Sequence, residues 1–428
     1  MTPVRNTLLA VIGLGAAAVL ALWWHDTAAV AGPSGWLTNA GRITGLLAGY
    51  GLAVLLALMA RVPALERGVG TDTLTRWHAM GGRYVIGLAV THTLATIWGY
   101  ALADGKGVVG ESVTMALTFP DVLKATVAVL LLTGTGIVSA RAARRRLRYE
   151  TWYLLHFYTY LAAWLAFGHQ LSTGAEFTGD RAAQVAWYAL YLGVAALLLW
   201  YRFLAPVVLS WRHRLRVAEV VREAPGVVSV RITGRDLGRL RAEPGQFFRW
   251  RFLTRRTWWS ANPYSLSAPA SDGSLRITVK ALGDHSAALT RLRPGTPVFA
   301  EGPYGALTAR RRRRDRTLLI AGGVGITPLR ALFETLPGEV TLLYRAREPV
   351  LRAELEAIAA ARGARLFVSA GPRPADLFDP ATLSRLVPGL PEHDAYVCGP
   401  PSMADAAIDA LKAAGVPAGR IHHESFEF

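Results

Sequence analysis

Residues 76–92 read RWHAMGGRYVIGLAVTH. The run opens a long apolar segment and carries a histidine near each end, His78 and His92. A hydrocarbon core about 30 Å thick needs about 20 apolar residues of helix, and an ionisable group at that depth is costly and usually functional. The same texture continues on both sides of this run. Apolar stretches at roughly 7–25, 43–60, 81–102, 120–140, 151–170 and 183–205 give six candidate spans. The first has a second reading: Arg5, an apolar run and Ala29-Val30-Ala31 also fit a secretory signal.

The chain has 428 residues, more than one domain usually holds, with 52% hydrophobic residues and a net charge of +17. A basic balance suits nucleic acid or an anionic membrane surface. The apolar runs favour the membrane, and no nucleic-acid motif is present. The one cysteine, Cys398, excludes an internal disulfide and a four-cysteine iron–sulfur cluster. The loop at 61–80 holds Arg61, Arg67 and Arg76, and the loop at 141–149 holds Arg141, Arg144, Arg145, Arg146 and Arg148. The loops at 26–41, 103–119 and 171–182 carry few basic residues. The positive-inside rule then predicts a multi-pass cell-membrane protein with both termini cytoplasmic. The third and fifth spans run outward.

Those two spans carry the histidines. His78 and His92 lie fourteen apart on the third, and His156 and His169 thirteen apart on the fifth. His78 and His156 fall near the cytoplasmic side, and the other two about 20 Å further out. Imidazole is a common axial ligand of haem iron, so two bis-histidine b-type haems could stack between these helices. Fourteen residues return to nearly one helix face, whereas thirteen do not. Either the fifth helix is irregular or its haems sit on different sides. The pattern resembles the ferric reductase-like transmembrane domain shared by ferric reductases and NADPH oxidases. The resemblance implies that His78 pairs with His156, and His92 with His169, as ligands of haem iron.

From Leu215 to about Thr308 the texture changes to short alternating segments such as VVSVRITG and SLRITVKA, which predict an antiparallel barrel. Within it, Asn262-Pro263-Tyr264-Ser265-Leu266-Ser267 resembles the flavin motif of ferredoxin-reductase-like flavoproteins. The resemblance implies FAD, with Tyr264 packed on the isoalloxazine, Ser265 bonded to it, and Leu266 next in the motif. Asn262 stands where that motif has Arg or His. After Lys280, Ser286 reads as an N-cap whose following amides suit a pyrophosphate. Gly302-Pro303-Tyr304-Gly305 resembles the turn that closes the family's flavin domain.

Thr317–Ala321 is a buried-type strand, followed by Gly322-Gly323-Val324-Gly325-Ile326-Thr327-Pro328 and a helical pattern. Glycines between strand and helix let a phosphate approach the backbone. The loop resembles that of the ferredoxin-reductase NAD(P) domain. Arg345 and Arg347, just past the next strand, could clamp a 2′-phosphate, which favours NADPH over NADH as electron donor. Cys398-Gly399-Pro400 resembles the family's turn beside the nicotinamide, which puts Cys398 near the hydride path. A terminal aromatic covers the flavin in relatives of that family, so the resemblance implies this role for Phe428. Arg310–Arg314 reads as a solvated loop.

The expected architecture is therefore multidomain. A six-helix transmembrane haem bundle (1–210) precedes an antiparallel β-barrel flavin domain (211–310) and an α/β nucleotide-binding domain with a parallel sheet (311–428). Electrons would pass from cytoplasmic NAD(P)H through FAD and two haems to an outer acceptor, a ferric chelate or oxygen. Two other readings stay open: an electron-donating subunit for a periplasmic partner protein, and a haem-free membrane-anchored flavin reductase.

Overall fold

The computed structural model describes residues 3–25, 27, 30–140, 146, 147, 149–270, 273–371 and 378–425. The chain packs as two units. One comprises Pro3–Arg61 and Thr73–Trp200, and the other Val62–Asp72 and the chain from Tyr201 onward. The segment 62–72, expected to be a cytoplasmic loop of the membrane part, thus packs within the second unit.

The helices in order are α1 (Pro3–His25), α2 (Gly32–Leu58), α3 (Pro63–Gly68), α4 (Thr71–Asp104), α5 (Val108–Thr118), α6 (Val122–Ser139), α7 (Tyr149–Ser172) and α8 (Arg181–Leu199). A π turn at Trp200–Leu204 carries α8 into α9 (Ala205–His213). Asp180 starts α8 by accepting from the amides of Ala182 and Ala183 at 2.8 and 3.1 Å. Among the described residues, five helices are long and apolar enough to cross a membrane: α1, α2, α4, α6 and the continuous α8–α9. Helix α7 has 24 residues, but its histidines, tyrosines and glutamine lower its hydropathy, so it is not among the five. Helix α5 occupies what the sequence left as a loop and is too short to span. Large apolar side chains such as Leu14, Leu130, Trp164 and Val185 stand exposed on this unit. That surface suits lipid rather than water. Among the loop arginines, Arg141, Arg144, Arg145 and Arg148 lie outside the described residues.

The second unit opens with six short strands: β1 (Arg216–Ala224), β2 (Val227–Thr233), β3 (Phe247–Phe252), β4 (Asn262–Ser265), β5 (Ser274–Lys280) and β6 (Val298–Tyr304). They form two three-stranded antiparallel sheets, ordered β1-β2-β5 and β4-β3-β6. Isolated bridges Arg216↔Pro297 and Leu266↔Ile277 join residues flanking or within them. Alternation puts Val230, Ile232, Phe248, Trp250, Leu275 and Ile277 into one core. A six-residue helix, α10 (Asp284–Leu289), lies between β5 and β6.

The remainder alternates strand and helix: β7 (Arg316–Gly322), α11 (Ile326–Thr335), β8 (Glu339–Ala346), α12 (Arg352–Arg362), β9 (Arg365–Ala370), α13 (Pro380–Leu386), β10 (Asp394–Gly399), α14 (Pro401–Ala413) and β11 (Ile421–Ser425). The sheet is wholly parallel, in the order β11-β10-β7-β8-β9, with apolar clusters on both faces. The expected α/β architecture holds for this part.

Trp250 tests the core of the six-strand region. Its ring is 1% exposed, and its Nε1 donates to the Tyr264 carbonyl at 3.0 Å. Trp250→Ala should cost about 3–5 kcal/mol. A thermal melt of the solubilised chain would show this as an early transition confined to the second unit.

Candidate functional site

The first constellation lies on α4 and α7. The rings of His78 and His156 are 5.9 Å apart between centroids, with planes at 68°. Those of His92 and His169 are 6.2 Å apart, at 36°. Metal–imidazole bonds of about 2 Å on each side of one iron, plus half a ring on each side, put the two ring centres about 6 Å apart. The observed spacings fit that requirement. His78 Nδ1 lies 3.2 Å from the Leu55 carbonyl, and His92 Nδ1 lies 2.8 Å from the Gly41 carbonyl. An Nδ1–H donated to a carbonyl leaves Nε2 with its lone pair free for a metal. His156 Nδ1 is buried without a hydrogen-bond partner. Trp152 stacks on the His156 ring at 5.2 Å.

Helix α7 is continuous α-helix across both histidines. The thirteen-residue spacing is therefore not absorbed by an irregular turn, and the two side chains leave the helix at different azimuths.

The sequence reading missed what holds α2 against α4. Gly41, Gly45 and Gly49 recur every fourth residue, a small-residue stripe of the kind that lets membrane helices approach closely. A Cβ at Gly45 would sit 2.6 Å from His92 Nδ1, and one at Gly41 would strike Thr96. One at Gly49 would meet Trp187 at 3.0 Å. The four-residue repeat was the available signal. Arg42, near the outer end of α2, donates its Nε to the buried carboxylate of Glu176 at 2.7 Å.

The second constellation centres on β4. Tyr264 pairs with Phe248 across the sheet, and burial pushes its hydroxyl up to about 12. Ser265 is buried. Leu266 is fully buried in the core, which leaves its backbone rather than its side chain to reach a cofactor. Lys280 is exposed at the end of β5. Ser286 is not an N-cap. It is the third residue of α10, capped by Gly283, and its Oγ accepts from the amides of Leu282 and Gly283 at 2.9 and 3.0 Å. Those two amides are thereby occupied.

The third constellation lies where the strand order of the parallel sheet reverses. β7 leads to β8 and β9 on one side, and β10 and β11 lie on the other. Ligands of open α/β sheets bind at the carboxyl ends of strands at such a switch point. The glycine loop follows β7, and Gly399-Pro400 follows β10. The loop is packed against the turn: a Cβ at Gly325 would collide with the Cys398 carbonyl, and one at Gly322 would come 3.0 Å from Pro400. Thr327 Oγ1 ties the loop by donating to the Val324 carbonyl at 3.0 Å. Gly323 has φ 55°, a conformation glycine adopts without strain. Arg345 is partly buried and donates to the Ser369 carbonyl at 3.2 Å, whereas Arg347 is exposed.

Cys398 lies wholly inside the core, with Sγ 3.7 Å from the Glu424 carbonyl, and burial pushes its thiol up. It offers no exposed reacting sulfur. Phe428 lies outside the described residues. Glu424, on β11 opposite Cys398, was not foreseen. Burial, then the charges of Asp72 and Glu66, raise its carboxyl to about 8.

Residues 44–167 match the ferric reductase like transmembrane component family, and residues 319–409 match the oxidoreductase NAD-binding domain. The ferredoxin reductase component of 3-ketosteroid-9-alpha-monooxygenase from Mycolicibacterium smegmatis is 34% identical over 230 residues, which cover 50% of this chain and 65% of that protein. The ferredoxin–NAD(+) reductase component of the alkene monooxygenase system of Xanthobacter autotrophicus is 32% identical, over 50% of this chain and 70% of that protein. A flavohemoprotein of Chromobacterium violaceum is 32% identical, over 51% and 61%. Against the first two curated relatives, the chain spans 65% and 56% of their length.

Glu424 gives a pH test. Its raised folded pKa means that the folded chain holds this proton more tightly than the unfolded chain. Its stabilising contribution is then full below the ordinary value of 4.5 and is lost as pH rises from there to about 8. Glu424→Gln should therefore melt higher than the parent at pH 8 and no higher near pH 4.5. Equal differences at both pH values would show that this carboxyl titrates normally.

Proposed function

We infer the function of this chain from the family to which it belongs: it is a ferric reductase-like transmembrane protein joined to a ferredoxin-reductase-type FAD/NAD half. It is an oxidoreductase. We propose that it moves electrons from cytoplasmic NAD(P)H across the membrane to an outer acceptor, a ferric chelate or oxygen. The observation that carries this reading is the meeting of His78 with His156 and of His92 with His169, each pair at a spacing that fits one iron. On this reading α7 completes a six-helix bundle with the five apolar helices. The two three-stranded sheets act as one flavin barrel, and the three domains are 1–210, 211–310 and 311–428. The arginines of the 61–80 and 141–149 loops put both termini in the cytoplasm.

The bound groups would supply the redox chemistry: FAD takes a hydride as an electron pair, and two b-type haems each carry one electron. The chain supplies everything else. Leu55 and Gly41 would hold the Nδ1 protons of His78 and His92, which leaves each Nε2 its lone pair for a metal. Trp152 fixes the plane of His156 by stacking. Tyr264 offers a flat, desolvated face and Ser265 a hydroxyl to the flavin. Gly322, Gly323 and Gly325 clear the backbone for a pyrophosphate, and Thr327 keeps that loop closed. Gly399 and Pro400 form the other wall. Arg347, free of the sheet, is the better candidate for a 2′-phosphate, which favours NADPH.

A protein acceptor is the second reading. The relatives from Mycolicibacterium and Xanthobacter are named reductase components of monooxygenase systems, and such a component serves a partner protein. Copurification of an outer partner would favour it.

The test is an anaerobic optical spectrum of the solubilised chain before and after NADPH. Reduced b-type bands are expected. His92→Ala and His169→Ala should each abolish reduction of an outer acceptor while sparing reduction of soluble dyes by the flavin half. Parallel loss of both activities, or a flavin spectrum without haem, would sink the haem reading.

A further inference from the structure

Two arginines that neither cofactor motif uses converge on one carboxylate. Arg276 lies in the middle of β5. Its Nη2 donates to Glu354 Oε1 at 3.0 Å and to the Ser267 carbonyl at 2.7 Å, and its Nε donates to Ser267 Oγ at 3.1 Å. Arg330, on α11, donates to the same oxygen of Glu354, and its other terminal nitrogen bonds to Glu334. Glu354 sits in the first turn of α12. The Arg330 side chain is 7% exposed and that of Arg276 19%. Charge-assisted hydrogen bonds removed this far from water are stronger and more directional than surface pairs.

The two ends of this set are informative. Ser267 ends the segment that carries Tyr264 and Ser265, and it is held from behind by Thr278 at 2.8 Å, itself bonded to Ser229 at 2.8 Å. Arg330 lies on the helix that the glycine loop opens. A continuous path of polar contacts therefore joins the β4 segment to the Gly322–Gly325 helix. It runs through a single carboxylate oxygen that both guanidinium groups share.

We propose that Glu354 is a positioning residue for hydride transfer: by holding Arg276 and Arg330 together, it sets the distance between the flavin segment and the nucleotide loop. This rests on the reading of those segments as FAD and NAD(P) sites. Without the negative charge, two guanidinium groups would face each other and part. The loss would fall on the geometry of transfer rather than on the affinity of either site.

The experiment is anaerobic stopped-flow reduction of the flavin in the full solubilised chain, with NADPH and with its 4-deuterated form. Glu354→Gln should slow single-turnover reduction about tenfold, shift KM for NADPH less than about twofold and raise the primary isotope effect, as a small misplacement of reacting groups does. Glu354→Asp should recover part of the rate. Amide hydrogen exchange, read with no donor present, should quicken in Ser274–Lys280 and Ile326–Thr335 together. An unchanged rate and isotope effect would overturn the proposal. So would a slower rate accompanied by loss of FAD or a matching rise in KM, which would make the carboxylate a folding or binding group. If Glu354→Gln does not fold, Arg276→Lys keeps the charge and loses the fork onto Ser267, and it should raise the isotope effect in the same way. A parent chain whose flavin is not reduced by NADPH would instead overturn the function reading, and this proposal with it.

Discussion

The membrane half depends on how closely α2 can approach α4. An imidazole N–H at membrane depth that lacks an acceptor costs several kcal/mol, because no water is at hand. For His78 and His92 the acceptors are backbone carbonyls of the neighbouring helix. Leu55 is one of the last four residues of α2, whose carbonyls have no partner in a regular helix. The Met59 amide turns to Leu56 instead, which leaves the Leu55 carbonyl to His78. Gly41 is in the helix interior, and its carbonyl uses its second lone pair for His92. That contact exists only because Gly41 and Gly45 have no side chains. The glycine stripe, the imidazole tautomer and the free Nε2 are thus one arrangement, and a larger residue in the stripe would undo all three.

The nucleotide half depends on a similar close approach. Strands β7 and β10 are hydrogen-bonded neighbours, with Ala321 opposite Cys398. Their outgoing turns must therefore share little space. Gly322, Gly325 and Gly399 make that possible, since a Cβ on any of them would meet the other turn. The crowding also explains Cys398: it lies inside the sheet core while the chain turns outward at Gly399.

Much of this was legible in the sequence. Five of the six expected spans were visible as apolar runs, the switch-point loop as glycines between strand and helix, and the histidine pairs through the family resemblance. What was not legible depended on contacts between distant segments. Helix α5 looked like a loop because it is short. Ser286 looked like a cap because serine before an apolar run usually is one, but the cap is Gly283, whose backbone carries no such mark. Leu266 was assigned by motif position, and only the strand pairing decides which way it faces. The partner of Arg42, Glu176, lies 134 residues away, so the pair leaves no mark in the local sequence. Segment 62–72 was assigned by its place between two spans, whereas its packing follows the second unit.

The arginine run at 310–314 shows why charge counted along a chain misleads. It read as a solvated loop. Its backbone, not its charge, does the structural work: the amides of Arg313 and Arg314 donate to the fully buried carboxylate of Asp394 at 2.7 and 2.6 Å. Both amides reach the same oxygen, Oδ2, while Oδ1 lies 3.5 Å from His422 Nε2. Among the side chains, Arg310 pairs with Glu243 and Arg312 with Asp315, and Arg311 reaches the Gly68 carbonyl at 3.5 Å. Three of the five arginine side chains are therefore already committed within their own unit. The positive charge that orients this protein in a membrane must be sought in the loops between its spans.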